Sequence, residues 1–348
     1  MTNNTRSKKA QQVADFFNRH QIDLPLKITV PIVIGYLLGL PVCEKFIFIT
    51  GNLPNGLYRK SLWDIAFLFF YFCIFTFLRA ASMDYILKPL SMKAKVSKGK
   101  TLRFAEQSWL YIFYHSPTWN DTSYFWRDYP VWELQGYFKY YYLLQFAFWV
   151  QQPFVLLIEE PRKDYLEYMI HHINTLLLIS LSYACNFTRV GNAVFVCMDL
   201  PDILLCLAKT LHYLKYGFVC DLTFVVMVSS WLYTRVYYYG KIIWSTYTEP
   251  ELYVPKFALD PFNGNWFPHF VKYIILGLML GLYILIMFWT LMIFKVVFKL
   301  VTKTGITDVR SDDEDSNDSN EVTRFFFLGA IALPRKSKNM PHVVKLFN

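Results

Sequence analysis

Apolar residues in this chain come in long blocks separated by short polar ones. Eight blocks approach the ~20 residues that cross a bilayer as a helix: roughly 26–48, 61–81, 104–120, 138–158, 166–186, 190–213, 219–240 and 270–298. Backbone in hydrocarbon must satisfy its own hydrogen bonds, so the pattern predicts an all-α membrane protein, a polytopic bundle of about eight transmembrane helices. The third block carries Glu106, Gln107 and His115, and is amphipathic; if it is re-entrant the bundle has seven spans. Pro41, Glu44 and Lys45 interrupt the first block, which reads as a retained signal anchor behind the basic segment 1–25. No internal repeat is evident.

Charge gives the orientation. Arg6, Lys8, Lys9 and Arg19 precede the first block. Lys88, Lys93, Lys95, Lys98, Lys100 and Arg103 follow the second, Arg162 and Lys163 the fourth, and Lys295, Lys299 and Lys303 the eighth. With eight crossings all of these lie on one side, so both termini are expected in the cytosol. The opposite loops hold Asp121, Asp128, Glu133, Glu249, Glu251 and Asp260. The net charge is +9, but the basic residues flank apolar blocks and are not interleaved with stacking aromatics in a soluble stretch, which excludes a nucleic-acid surface. The six cysteines lie in or beside apolar blocks without a CxxC pair, so they read as reduced packing residues. The stretch "SDDEDSNDSNE" (311–321) is a solvated tail, in which Ser311 precedes three acidic residues, a context for an acidic-directed kinase.

Polar residues inside the apolar blocks carry the chemistry. In the fifth, His172, Thr175, Ser182, Asn186 and Arg189 fall at helical spacing as one stripe, with His171 adjoining through Thr175. In the sixth, Asp199, Asp202, Cys206 and Lys209 share a face, and the fourth adds Gln145, Trp149 and Gln152. Ionisable groups at membrane depth are costly and normally face a bundle interior or a cavity. Three chemistries fit two histidines and two aspartates on consecutive helices. They are a single zinc held by His171, His172, Asp199 and Asp202, a proton relay in a transporter or lipid sensor, and acyl transfer with imidazole as base or nucleophile. The motif alone does not choose among them.

The long stretch "HHINTLLLISLSYACNFTRVGNAVFVCMDLPDILLCLAKTLHYL" resembles the signature of the ceramide synthases in the TLC-domain superfamily. The matching positions are His171-His172, Thr175, Leu178, Ser182-Tyr183, Asn186, Arg189, Gly191, Asp199, Asp202, Leu205, Ala208-Lys209 and Tyr213. "FAEQSWLYIFY" (104–114), "YYLLQFAFWVQQ" (141–152) and "EEPRKDYLEYMIHH" (159–172) look like the family as well, and the layout looks fungal. Pro201 and Asn174 depart from the usual pattern; the proline frees the Cys197 carbonyl and can kink its helix.

The resemblance implies N-acylation of a sphingoid base (sphinganine or phytosphinganine) by a long- or very-long-chain fatty acyl-CoA. It places the protein in the endoplasmic reticulum membrane, with no metal and no cofactor beyond the acyl-CoA substrate. It divides the chain into a basic cytosolic segment 1–25, the first spans and basic loop 26–99, a catalytic membrane domain 100–303 and a cytosolic tail 304–348. His171, His172, Asp199 and Asp202 become the expected catalytic residues. Gln145, Trp149, Gln152, Thr175, Ser182, Asn186, Arg189 and Lys209 are then expected around a lipid cavity enclosed by the bundle. A small single-span regulatory subunit, and a dimer with itself or a paralogue, are the expected partners besides membrane lipids.

Overall fold

The computed structural model describes residues 8–82, 85, 121–158, 165–213, 217–254, 257–260 and 265–302. The third apolar block, Lys88–Arg103 of the basic loop and the tail with Ser311 lie outside them. Among the described residues, five helices are long and apolar enough to cross a membrane: Trp63–Ala81, Gly136–Ile158, Thr188–Ala208, Gly217–Thr248 and His269–Phe298. The protein is a multi-pass all-α membrane protein.

The chain opens with α1 (Lys8–Arg19), α2 (Asp23–Leu37) and α3 (Pro41–Ile47). The block 26–48 is therefore not the single span its hydropathy predicts. Gly39 takes φ of +79°, a left-handed conformation that ends α2, and Pro41 sits in the first turn of α3. The 15 residues of α2 rise about 22 Å, short of the roughly 30 Å hydrocarbon core. Helix α1 lies against the far end of the bundle. There Phe17 meets Phe154 edge-on, and the Asn18 amide donates to the Ile158 carbonyl at 2.7 Å. That bond caps one of the carbonyls a helix end leaves unpaired.

Helix α4 (Trp63–Ala81) packs along α5 (Gly136–Ile158) through a ladder of aromatic pairs, Phe67–Tyr140, Phe75–Phe148 and Phe72–Phe154. At its start, strand β1 (Leu57–Tyr58) pairs antiparallel with β2 (Leu134–Gln135), which leads straight into α5. Helices α6 (Tyr165–Ala184) and α7 (Thr188–Tyr213) follow as a tight pair. Then comes one long rod in three parts: α8 (Gly217–Trp231), a π-helical turn (Leu232–Tyr238) and α9 (Tyr239–Thr248). After a short β3–β4 pair (Leu259–Asp260 with Asn265–Trp266), α10 (His269–Thr302) closes the bundle against α6 and α9. The Asn174 amide donates to the Leu278 carbonyl at 3.0 Å and ties α6 to α10.

One end of the bundle carries a lid of side chains. Trp126 stacks on Phe267, Tyr129 stacks on Phe187, and Phe187 meets Phe267 at 4.4 Å. The Trp126 indole donates to Ser245 (2.8 Å), whose hydroxyl donates to Glu249 (2.8 Å), and the Tyr129 hydroxyl donates to the Cys185 carbonyl. At the same end a buried ion pair, Lys139–Asp64 at 2.8 Å, joins α5 to α4. The Lys139 ammonium also donates to the carbonyls of Thr50 and Arg59, and Asp64 accepts from the Tyr183 hydroxyl and the Ser61 amide. Lys60 donates to the carbonyls of Tyr183 and Ala184, a cation at the carboxyl end of α6 where the helix dipole favours one. Burial pushes the Lys60 pKa down to about 8, against the opposing pull of Asp64.

Candidate active site

The turn between α6 and α7 sets how the site's two central helices face each other. Helix α6 stops because Asn186 takes a left-handed φ of +64° and the Phe187 amide donates back to the Ser182 carbonyl at 2.8 Å. This is the bond pattern of a Schellman cap, and asparagine is among the few residues that adopt its left-handed position readily. The Tyr142 hydroxyl donates to Ser182 Oγ (2.9 Å), which in turn donates to the Phe187 carbonyl (2.8 Å). Opposite lies Gly191. A methyl group there would stand 2.2 Å from Tyr142 Oη and 2.5 Å from Ser182 Oγ, so only glycine lets α7 approach this closely.

Between α5, α6, α7, α9 and α10 runs a narrow apolar cavity. Trp149, His171 and Thr175 line one part of it, Ile179, Ser182 and Val194 the middle, and Phe187, Trp126 and Phe267 the lid end. From His171 to Ser182 the helix rises about 16 Å. The cavity's lining follows α6 over that whole length and is mostly apolar.

At the end away from the lid sits an aromatic cage. The His171 ring lies 5.2 Å from Trp289, 5.5 Å from His172 and 5.8 Å from Trp149, centroid to centroid. His172 lies 5.8 Å from Trp149 and 6.4 Å from Tyr168. Among the described residues neither imidazole Nδ1 has a hydrogen-bond partner, nor do the Trp149 indole N–H and the Thr175 hydroxyl, and all four atoms are buried. Leaving a buried polar group unpaired costs about 1–3 kcal/mol. Three of these groups, on Trp149, His171 and Thr175, line the cavity, and the fourth, on His172, adjoins His171.

The two carboxylates are held by neighbours on other helices. Asp199 accepts from the buried Gln145 amide at 2.9 Å, and that amide also donates to the Tyr141 hydroxyl. Asp202 pairs with Arg235 at 2.9 Å. Arg235 sits in the π-helical turn, its guanidinium 4.1 Å over the Trp231 ring, and it donates to the Met198 carbonyl. The disruption at Pro201 is answered here. Proline cannot bond the carbonyl four residues back, and the Thr234 hydroxyl supplies the missing donor to Cys197 at 2.9 Å. A widened helical turn on one helix thus fills the gap left by a proline on the next.

The placement differs in part from the sequence expectation. Trp149, Thr175, Ser182 and His171 line the cavity. Gln145 is buried and holds Asp199, while Gln152, half-buried on α5, does not line it. The polar stripe of α6 ends at Ser182, because Asn186 is the helix stop and Arg189 belongs to α7. Arg189 turns away from the cavity and donates to the carbonyls of Tyr124 and Arg127, its guanidinium over the Tyr124 ring. Lys209 lies on α7, and its side chain is outside the described residues. Among the described residues, no three His, Cys, Asp or Glu side chains converge as a metal ion requires. Arg235 went unnoticed in the sequence, although one arginine inside an apolar block was itself a signal. Trp289 gave none, being apolar among apolar neighbours.

Residues 104–295 match the TLC domain family model, which spans Trp149, both histidines and both aspartates. The protein is thus a TLC-domain membrane protein. The chain is 37% identical to the sphingosine N-acyltransferase lag1 of Schizosaccharomyces pombe over 81% of its own length and 76% of that protein's. It is 36% identical to the ceramide synthase LAG1 of Saccharomyces cerevisiae (77% and 69%) and 31% to the ceramide synthase FUM18 of Gibberella moniliformis (81% and 75%). It belongs to the ceramide synthase, or sphingosine N-acyltransferase, family.

Proposed function

We propose that this protein transfers a fatty acyl group from acyl-CoA to the amine of a sphingoid base. The observation that carries this reading is the pair of adjacent imidazoles, their Nδ1 atoms buried, at one end of a narrow apolar cavity that follows α6. A thioester brought to that end has its carbonyl beside His171 and its chain in the cavity. His171, the imidazole that lines the cavity, attacks the carbonyl carbon and CoA leaves as the thiolate. The sphingoid amine then attacks the acyl-imidazole, and His172 takes the proton it sheds. Asp199, fixed by Gln145, is assigned the negative charge against the transient imidazolium, while Asp202 is already paired with Arg235. No metal or further cofactor enters this scheme.

The purified protein, given acyl-CoA and sphinganine, is expected to form the N-acyl product. Given acyl-CoA alone it is expected to release CoA once per site and to carry the acyl group on His171, detectable by mass spectrometry. Product without any acylated protein would replace the two-step route by direct attack of the amine, with histidine as base. No product from any sphingoid base would overturn the function.

The same reading places the protein in the endoplasmic reticulum, with the histidine end of the bundle and both termini toward the cytosol, where acyl-CoA is found. It is supported by Lys295 near the end of α10 on the histidine side; at the lid end the acidic Glu133 and Glu251 are paired with Arg59 and Lys272. Glycosylation reporters are expected to be modified when inserted in 254–268 and unmodified at either terminus; a glycosylated terminus reverses the orientation. A single-span regulatory subunit, pairing with a second copy or a paralogue, and phosphorylation at Ser311 belong to this proposal on the family resemblance alone.

A further inference from the structure

Two of the unpaired groups at the histidine end are hydrogen-bond donors with no assigned part in acyl transfer. The indole of Trp149 can only donate. The other buried indoles bonded in this fold find acceptors: Trp126 donates to Ser245 and Trp231 to Thr290. Trp149 Nε1 is buried and has none among the described residues.

Thr175 breaks a pattern just as clear. Thr29, Thr76, Thr223, Thr234, Thr246, Thr248 and Thr290 each donate their hydroxyl to the carbonyl four residues back. That is the usual resting place of a helical threonine. Thr175, inside α6, makes no such bond, and its hydroxyl is buried without a partner among the described residues. It lies one turn from His171 on the same helix face, and both line the cavity with Trp149, whose ring packs against both imidazoles.

The geometry points to Trp149 Nε1–H and Thr175 Oγ1–H as the oxyanion hole of the transfer, two donors for the acyl carbonyl oxygen as it gains charge. This rests on the acyl transfer proposed above. As the nucleophilic nitrogen bonds to the carbonyl carbon, the carbonyl π pair moves onto oxygen, and the indole N–H and threonine O–H bond to that oxyanion. The pair then returns, the C–S bond breaks, and the thiolate takes the proton that the ring's other nitrogen gives up. Both donors are desolvated in advance by the aromatic cage, so no water must be reorganised when the charge appears. That is the condition under which such donors act most strongly.

The test separates donation from packing. In the purified protein, Trp149 is replaced by benzothienylalanine, which keeps the bicyclic shape and puts sulfur where the N–H was. Thr175 is replaced by valine and, separately, by serine. Removing one oxyanion donor typically lowers kcat by about 10²–10³-fold. The benzothienylalanine and T175V proteins are expected to show that loss, with KM for acyl-CoA changed less than about 3-fold, the same thermal midpoint as wild type, and recovery of most of kcat in T175S. A wild-type kcat in the benzothienylalanine protein, alongside a loss in W149F, would show that the indole acts by packing and overturn the assignment of Trp149. Equal loss in T175S and T175V would do the same for Thr175. Active wild type with active variants refutes this inference and leaves acyl transfer standing; inactive wild type refutes both.

Discussion

Replacing His171 or His172 with alanine is expected to lower N-acyl transfer by about 100-fold or more, the usual cost of removing a general base or nucleophile, while the protein stays in the membrane at normal abundance. His171 is enclosed by Trp149, Trp289 and His172 and lines the cavity, so it is placed to touch the thioester. His172 adjoins it and faces Tyr168. The two variants should therefore differ in one respect. His172→Ala should still accept an acyl group from acyl-CoA and stall before the amine step, whereas His171→Ala should accept none. CoA release, followed by product formation in single-turnover mixing, reads the two steps separately. Turnover within a few-fold of wild type in both variants would remove the histidines from the mechanism.

The largest stability effect is expected at the other end of the bundle. Lys139 is 0% exposed and its partner Asp64 is 3% exposed. Lys139→Met removes the cation and leaves a buried carboxylate without its counter-charge, a loss of about 3–5 kcal/mol. The double variant Lys139→Met with Asp64→Leu is expected to recover most of that, because a buried pair replaced whole by apolar groups costs little. The carbonyls of Thr50 and Arg59, which also accept from Lys139, set the limit of recovery. Thermal unfolding in detergent reads both values. If the single variant melts with wild type, the pair is hydrated and contributes nothing; if the double variant melts below the single one, the hydrogen bonds outweigh the charge. Because Asp64 also accepts from Tyr183 near the end of α6, the single variant should loosen the turn that carries Asn186, far from the histidines.

Much of the molecule was legible in its pattern. Long apolar blocks dictate helices in any low-dielectric medium, and five of the described helices reproduce those blocks. Adjacent histidines opening a polar stripe pointed to one end of α6, and at that end, among the described residues, both imidazole Nδ1 atoms and the Trp149 and Thr175 donors are buried and unpaired. Spacing on a single helix predicts which side chains share a face, and Trp149 and Thr175 both line the cavity.

What the pattern could not carry was anything that depends on where a helix stops or on which neighbour it meets. Helical spacing extended the stripe to Asn186 and Arg189, but a left-handed asparagine breaks the register, and Arg189 then points from a different helix into backbone carbonyls. The block 26–48 was apolar enough to span, yet Gly39 and Pro41 divide it, because backbone dihedrals override hydropathy. The aspartates were legible as charges; their partners were not. Gln145 meets Asp199 from 54 residues away, and Arg235 reaches Asp202 because a π-helical turn faces the proline of the neighbouring helix. The sequence by itself determined the helices, their membrane setting and the chemistry on each face, since these follow from local hydrophobicity and spacing. Only the tertiary structure decided the cavity and which buried groups are paired and which wait for a ligand, since those follow from close packing between helices distant in the chain.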